Sequence, residues 1–217
     1  MNYPVTVPLS RTQMAARLAR DVPAGSFMNL GIGLPSLVAR HIDPASDITL
    51  HSENGLLNFG GPPPAGEEDT DLVDAGKNPV TLRPGAAFFD SALSFSMMRG
   101  GHLDIAVLGG FEVSAQGDLA NWWTGIPGDP QGVGGAMDLA CGAREIWVLM
   151  EHCTKDGRPK VVEHCTYPLT ARRVVTRVYT DLAVLDIKPQ GIVVREMIPG
   201  LSFEALQART GATLVVE

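Results

Sequence analysis

The chain has 217 residues, 45% of them hydrophobic and 19% charged, with 17 Lys plus Arg against 24 Asp plus Glu. That length supports a sizeable core without disulfides or metal, and the net charge of −7 excludes the broad basic face that nucleic acid demands. Three cysteines without framework spacing point to a reducing compartment. The first residues lack the charged and apolar regions of a signal peptide, and no apolar run nears the roughly 20 residues of a membrane span. The expectation is a soluble, cytoplasmic chain forming a single domain over residues 1–217.

Ser10-Arg11-Thr12-Gln13 has the form of a capping box, and Met14, Ala15 and Leu18 follow at helical spacing, which predicts a helix over 11–21 closed by Pro23. A strand over Phe27 to Leu30, a Gly31-Ile32-Gly33 turn and a helix with Pro35 in its first turn come next, with Leu34, Leu37, Val38 and Ile42 as its buried stripe. A strand through Ile48 and Leu50 runs into Ser52-Glu53-Asn54-Gly55. Residues 58–71 carry too much Gly, Pro and acid for regular structure and read as a loop. A helix over 90–99, a buried strand ending at Gly109-Gly110, and a glycine loop from Gly125 to Gly135 with a short helix at 136–141 follow. "REIWVLMEHC", "TKDGRPK" and "VVEHCTYPL" read as strand, turn, strand. Further strands are expected in "RRVVTRVYT", "DLAVLDI", "GIVVREMI" and "ATLVVE", and Ser202 caps a helix in "FEALQART". Strand, glycine turn, helix, strand is the order of an α/β fold with ligands at strand ends.

Several stretches are candidates for chemistry, each with a plainer reading beside it. Gly31-Ile32-Gly33 begins like a dinucleotide-binding G-x-G-x-x-G, but Ser36 and the intervening Pro35 break the pattern, leaving a glycine turn that offers amides to an anion. Gly132 to Ala136 are either a flexible turn or a set of converging backbone amides suited to an oxyanion. "EHCT" occurs at 151–154 and again at 163–166. Neighbouring His and Cys on a strand point to opposite faces, so the repeat reads as two hairpin strands rather than a zinc site. The acids Glu67, Glu68, Asp69, Asp71 and Asp74 lack calcium-loop order and read as a solvated loop. Lys77 is either an ordinary surface lysine or a cation for a phosphate or carboxylate. No G-x-S-x-G elbow supports a Ser-His-Asp site. Glu53, between a strand and a glycine turn with Leu56 and Leu57 beyond, is locally either a solvated turn residue or a nucleophile. A carboxylate needs no general base, and apolar flanks would keep water away.

The motifs "NLGIGLP" (29–35), "SENGLL" (52–57), "DAGK" (74–77), "MRGGHLDIAVLGG" (98–110), "GDLANW" (117–122) and "GGAMDL" (134–139) occur in this order. Together they resemble the β subunits of the 3-oxoacid CoA-transferases, from about residue 8 to the end of the chain. The resemblance implies a single open α/β domain of the CoA-transferase type, the fold shared with sugar-phosphate isomerases. It implies that Glu53 attacks an acyl-CoA and carries CoA as a glutamyl thioester in ping-pong chemistry. Gly135 and Ala136 then supply oxyanion amides, and Asn29, Gly31, Gly33, Asn54, Gly55, Lys77 and Gly134 line the CoA and substrate site. Coenzyme A enters as a substrate and a covalent intermediate, with no permanent cofactor and no metal. A partner α subunit of similar fold completes an α₂β₂ assembly.

"PAGEEDTDL", "GAAFFDS" and "SFSMMRGGHLDIAVLG" resemble most the members that move CoA from succinyl-CoA to 3-oxoadipate in aromatic catabolism. Acetoacetate-using members share the core motifs and stand as the alternative. A sugar-phosphate isomerase using Glu53 as a base would need a clustered phosphate clamp, which the sequence lacks near Glu53, and an intact S-E-N-G argues against a silent binding partner. Family members place glycine soon after S-E-N-G-x-L, where this chain has Asn58-Phe59, a departure that bears on the acid pocket. Arg83 and Arg99 are candidates to pair with a second carboxylate, with an exposed or structural role as the plainer reading.

Overall fold

The structure, a computed structural model, describes residues 7–129 and 132–216; Pro130 and Gln131 of the expected glycine loop and Glu217 of the expected last strand lie outside them. In chain order the first elements are α1 (Arg11–Ala19), β1 (Phe27–Leu30), a 3-10 helix (Leu34–His41), β2 (Thr49–Ser52), β3 (Leu56–Phe59), β4 (Leu82–Phe88), α2 (Ser91–Arg99) and β5 (Ile105–Leu108). They are followed by β6 (Glu112–Ser114), β7 (Leu119–Ala120), α3 (Ala136–Gly142), β8 (Glu145–Leu149) and β9 (Val161–Val162). The last are β10 (Val175–Tyr179), β11 (Ala183–Lys188), β12 (Gly191–Met197), α4 (Phe203–Gln207) and β13 (Leu214–Val215). The class is α/β with open sheets, as expected. No helix among the described residues is long and apolar enough to cross a membrane.

The chain divides into two compact units. One comprises Ala15–Gly109 and Gly135–Ile146; the other comprises the N-terminal stretch through Met14, Gly110–Gly134, and the chain from Trp147 onward. In the first of these the strand order is β5-β1-β2-β3-β4. β1 pairs in parallel with both β2 and β5, while β2-β3-β4 run antiparallel. All four residues of β5 are buried, and so are Met28 and Leu50, as the central strands of a sheet covered on both faces require. A fully buried Leu or Met contributes roughly 2–3 kcal/mol to holding these strands together. The 3-10 helix buries Pro35, Val38 and Ala39 and only half-buries Leu34 and Leu37. Of the expected stripe Val38 and, just past the helix, Ile42 are buried, on a 3-10 rather than an α-helical element.

The other unit holds β10 to β13 in the order β13-β12-β11-β10 and a small sheet β7-β6-β9. The capping box forms as read: the Ser10 amide donates to Gln13 Oε1 at 2.8 Å and the Gln13 amide to Ser10 Oγ at 3.3 Å. The expected hairpin around "TKDGRPK" forms as a tight turn closed by the antiparallel Cys153–Pro159 bridge, with the Thr154 amide donating to the Arg158 carbonyl at 2.8 Å and the Lys160 amide to the His152 carbonyl at 3.0 Å. Beyond it the chain leaves the hairpin, and β9 pairs in parallel with β6. The two "EHCT" copies therefore differ. His152 is fully buried, with ring nitrogens 3.0 Å from Thr180 Oγ1 and 2.9 Å from Thr210 Oγ1, while Glu163 and His164 are exposed. Strands β4, β6 and β7 carry little local signal, being short or, in β4, largely exposed.

The three-residue turn between β2 and β3 sets the position of everything in the first-described unit that matters chemically. Gly55 has φ of +104°, and a Cβ built there collides with the Phe89 carbonyl oxygen. Gly55→Ala is therefore expected to cost about 3 kcal/mol or more, combining left-handed strain with a backbone clash. Gly66→Ala, at φ of +89° with nothing within 4 Å of the added carbon, should cost only about 1–2 kcal/mol. Urea denaturation of the two variants checks this, and equal losses would contradict it.

Candidate active site

Glu53 sits half-buried at the first position of the β2–β3 turn, where Ser52 pairs with Leu56 and the Gly55 amide donates back to the Ser52 carbonyl at 3.0 Å. Its carboxylate accepts a hydrogen bond from the Gly135 amide. A Cβ at Gly135 would occupy the space of that carboxylate and displace it, and since Gly135 has φ of −84° the glycine gives room there and is not needed for backbone conformation. Ala136 follows as the first residue of α3. Burial lifts the Glu53 carboxyl above the ordinary carboxylate value, the Gly135 amide draws it back down, and the Asp138 carboxylate pushes it up again. A desolvated carboxylate of this kind is a better nucleophile than one in water.

The turn also holds the neighbouring loop. Ser52 Oγ accepts from the Ala75 amide at 2.9 Å, and Asn54 Nδ2 donates to the Val73 carbonyl at 2.9 Å. Within that loop Asp74 Oδ1 accepts from the amides of Gly76 (2.8 Å) and Asn78 (2.9 Å). Lys77, exposed and at φ of +62°, occupies the left-handed position of the turn. The Gly31-Ile32-Gly33 segment approaches from the end of β1. The Gly31 amide donates to the Val107 carbonyl at 2.8 Å, Gly33 adopts φ of +88°, and Ile32 lies 3.6 Å from the Cβ position of Gly76. Thus Glu53, Asn54, Gly55 and Gly135 meet directly, and the loops bearing Gly31 and Lys77 are tied to them. Gly134, at φ of +49°, belongs to the other unit.

Asn29 is 1% exposed. Its Nδ2 lies 2.9 Å from His51 Nδ1 and donates to the His51 carbonyl at 3.2 Å, while its Oδ1 is buried without a hydrogen-bond partner. His51 Nε2 is 3.1 Å from Ser94 Oγ, and the ring stacks on Phe89 at 6.0 Å between centroids. His51, Ser94, Phe95 and Asp138 join the site without having stood out in the sequence. Only the position of His51 within "LHSENG" signals it, on the strand that leads into the turn two residues before Glu53.

Asn58, the departure noted in the sequence, adopts φ of +58° at a register shift between β3 and β4, and its Nδ2 donates to the Pro84 carbonyl at 2.8 Å. Asparagine takes the left-handed position of a bulge here, and β3 continues through Phe59, so the expected loop starts two residues later. A cavity of about 530 Å³ lined by residues including Arg11, Glu151, Cys153, Lys160 and Arg209 lies in the other unit and includes none of the expected site residues.

Burial lowers both His51 and His152 to about 4. Between pH 6.5 and about 4 the unfolded chain binds protons that these folded imidazoles refuse, so stability falls as pH falls through that window and levels off below it. The loss is roughly 3 kcal/mol per histidine. Urea denaturation at pH 7 and pH 4.5 should show this drop, and a smaller one in His51→Gln; an unchanged slope in the variant would contradict it.

The family model for "Coenzyme A transferase" matches residues 11–209. The chain is 56% identical over 207 residues to a protein named as the β-type (B) component of 3-oxoadipate CoA-transferase from Acinetobacter baylyi, covering 95% of each chain. It is 48% identical to the corresponding component of a probable succinyl-CoA:3-ketoacid coenzyme A transferase from Bacillus subtilis, again covering 95% of each. Its fold superposes with a TM-score of 0.74, at 23% identity, on an acyl-CoA transferase from Escherichia coli O157:H7, covering 98% of this chain and 43% of that longer one. With the match extending from α1 through α4, this chain belongs to the coenzyme A transferase family.

Proposed function

We propose that residues 1–217 act as the β subunit of a transferase that moves CoA from succinyl-CoA to 3-oxoadipate, with Glu53 as the covalent carrier. The observation that carries this reading is the half-buried Glu53 carboxylate turned onto the Gly135 amide. A Glu53 oxygen attacks the thioester carbonyl, the C–S bond breaks, and CoA leaves as a thiolate with the acyl group held as a mixed anhydride. The thiolate attacks the Glu53 carbonyl carbon, the C–O bond to the acyl group breaks, and succinate departs, leaving CoA on Glu53 as a thioester. The acceptor acid reverses both steps and leaves as its CoA ester.

Each step passes through an oxyanion, two of them on the Glu53 carbon itself, and the Gly135 amide already points at that carboxylate, with the Ala136 amide next to it. Gly31, Gly33 and Gly55 let backbone approach CoA closely, Asn54 holds the Lys77 loop, and Lys77 offers its charge to the CoA phosphates. Asn29, buried at the end of β1 and bonded to His51, acts by holding β1 to β2 beneath the turn rather than by touching CoA. Coenzyme A is a substrate and no other cofactor enters the scheme. The relatives are named as one of two components, which supports a partner α subunit here, and an α₂β₂ complex in the cytoplasm is the assembly proposed.

The greater identity to the 3-oxoadipate relative than to the 3-ketoacid relative favours 3-oxoadipate over acetoacetate. In the complex with the α subunit, Glu53→Ala should lower transfer at least ~10³-fold with an unchanged circular-dichroism spectrum; full transfer by the variant would overturn the assignment. kcat/KM for 3-oxoadipate should exceed that for acetoacetate, and the reverse order would reassign the acceptor. Because Glu53 titrates above the ordinary carboxylate value, the acid limb of kcat/KM against pH should also lie above it, the rate falling as pH falls and the carboxylate takes up its proton.

A further inference from the structure

Succinate and 3-oxoadipate each bear a second carboxylate that takes no part in the chemistry at Glu53, and a site that selects them needs a cation facing the far end of the acid. Arg83 is committed elsewhere: its guanidinium donates to the carbonyls of Ile48 (3.3 Å) and Ile42 (3.4 Å). Arg99 is placed differently. It ends α2, where Gly100 and Gly101 close the helix through bonds to the Ser96 and Met98 carbonyls. α2 in turn packs on α3, because a Cβ at Gly142 would strike the Met98 carbonyl. Arg99 Nε donates to Asp138 Oδ1 at 2.6 Å, and its guanidinium lies 5.6 Å from the centre of the Phe95 ring. Phe95 Cζ is 3.4 Å from the Cβ position of Gly135, the residue whose amide holds Glu53.

A continuous line therefore runs from Glu53 over Gly135 and Phe95 to Arg99. Asp138 uses only the Nε–H of the guanidinium, and among the described residues neither Nη group of Arg99 has a partner. The two Nη groups are the fork that binds a carboxylate bidentately. The side chain is 66% exposed, so the fork is open to solvent while its plane is fixed by Asp138 on one edge and Phe95 on one face.

We infer that Arg99, oriented by Asp138 and shelved on Phe95, is the receptor for the distal carboxylate of the dicarboxylic donor and acceptor. The inference deepens, and rests on, the role proposed for Glu53. It explains why one α2 residue and one α3 residue form an ion pair beside a nucleophile whose own charge gains nothing from the Asp138 carboxylate.

The test compares succinyl-CoA with succinamyl-CoA, whose far end is a neutral amide, as donors to the complex with the α subunit. Arg99→Met should lower kcat/KM for succinyl-CoA ~100-fold and for succinamyl-CoA by no more than ~3-fold. Arg99→Lys keeps the charge without the fork, so it should lose ~10-fold on succinyl-CoA alone, and it carries the test if the methionine variant fails to fold. Equal losses on both donors, or no loss on succinyl-CoA, would overturn the inference while leaving Glu53 untouched. Persistence of transfer in Glu53→Ala would instead remove the reading on which it rests.

Discussion

Everything in the site depends on one contact that an added Cβ would push apart, the Glu53 carboxylate lying against the backbone of Gly135. The amide there gives the carboxylate a fixed partner, and the missing Cβ gives it room. A carboxylate taken partly out of water normally becomes protonated and inert. Here a single backbone donor opposes that tendency while burial and Asp138 promote it, and the balance leaves a group held in place rather than solvated. The same amide stands where negative charge grows when the Glu53 carbon becomes tetrahedral, so the contact that orients the resting group is preorganised for the reaction.

The fold serves that contact from both sides. Parallel β1, β2 and β5 deliver their carboxyl ends to one region, as open α/β sheets do, and the reversal of direction at the β2–β3 turn projects Glu53 beyond the last paired residues. Gly55 fits under the Phe89 carbonyl only because it lacks a side chain. Beneath the turn, His51 joins Asn29 on β1 to Ser94 on α2, and a buried neutral imidazole with both nitrogens occupied makes β2 rigid at the cost of acid stability. On the other side, close packing of α3 on α2 at Gly142 positions both Gly135 and the Arg99–Asp138 pair.

Much of this is legible in the sequence. β1, the helix over 90–99 and the helix following Gly135 can be read because local signals (apolar runs and flanking glycines) agree with the tertiary structure. Glu53 is locally ambiguous, and six ordered motifs, not its neighbours, single it out. What stays hidden is what depends on distant pairing: the pairing of β9 with β6, the 3-10 geometry after Gly33, and the Arg99–Asp138 ion pair across 39 positions. Lys77 and Asn58 show the same limit in another form. Each adopts a left-handed φ imposed by a turn or bulge, which composition alone makes plausible for Asn and not for Lys.

The most direct measurement is mass spectrometry of the Glu53 peptide after the complex with the α subunit is mixed with succinyl-CoA and no acceptor. The account predicts the mass of CoA joined to Glu53 as a thioester, discharged when 3-oxoadipate is added. Turnover without that adduct, or an adduct on any other residue, would contradict it.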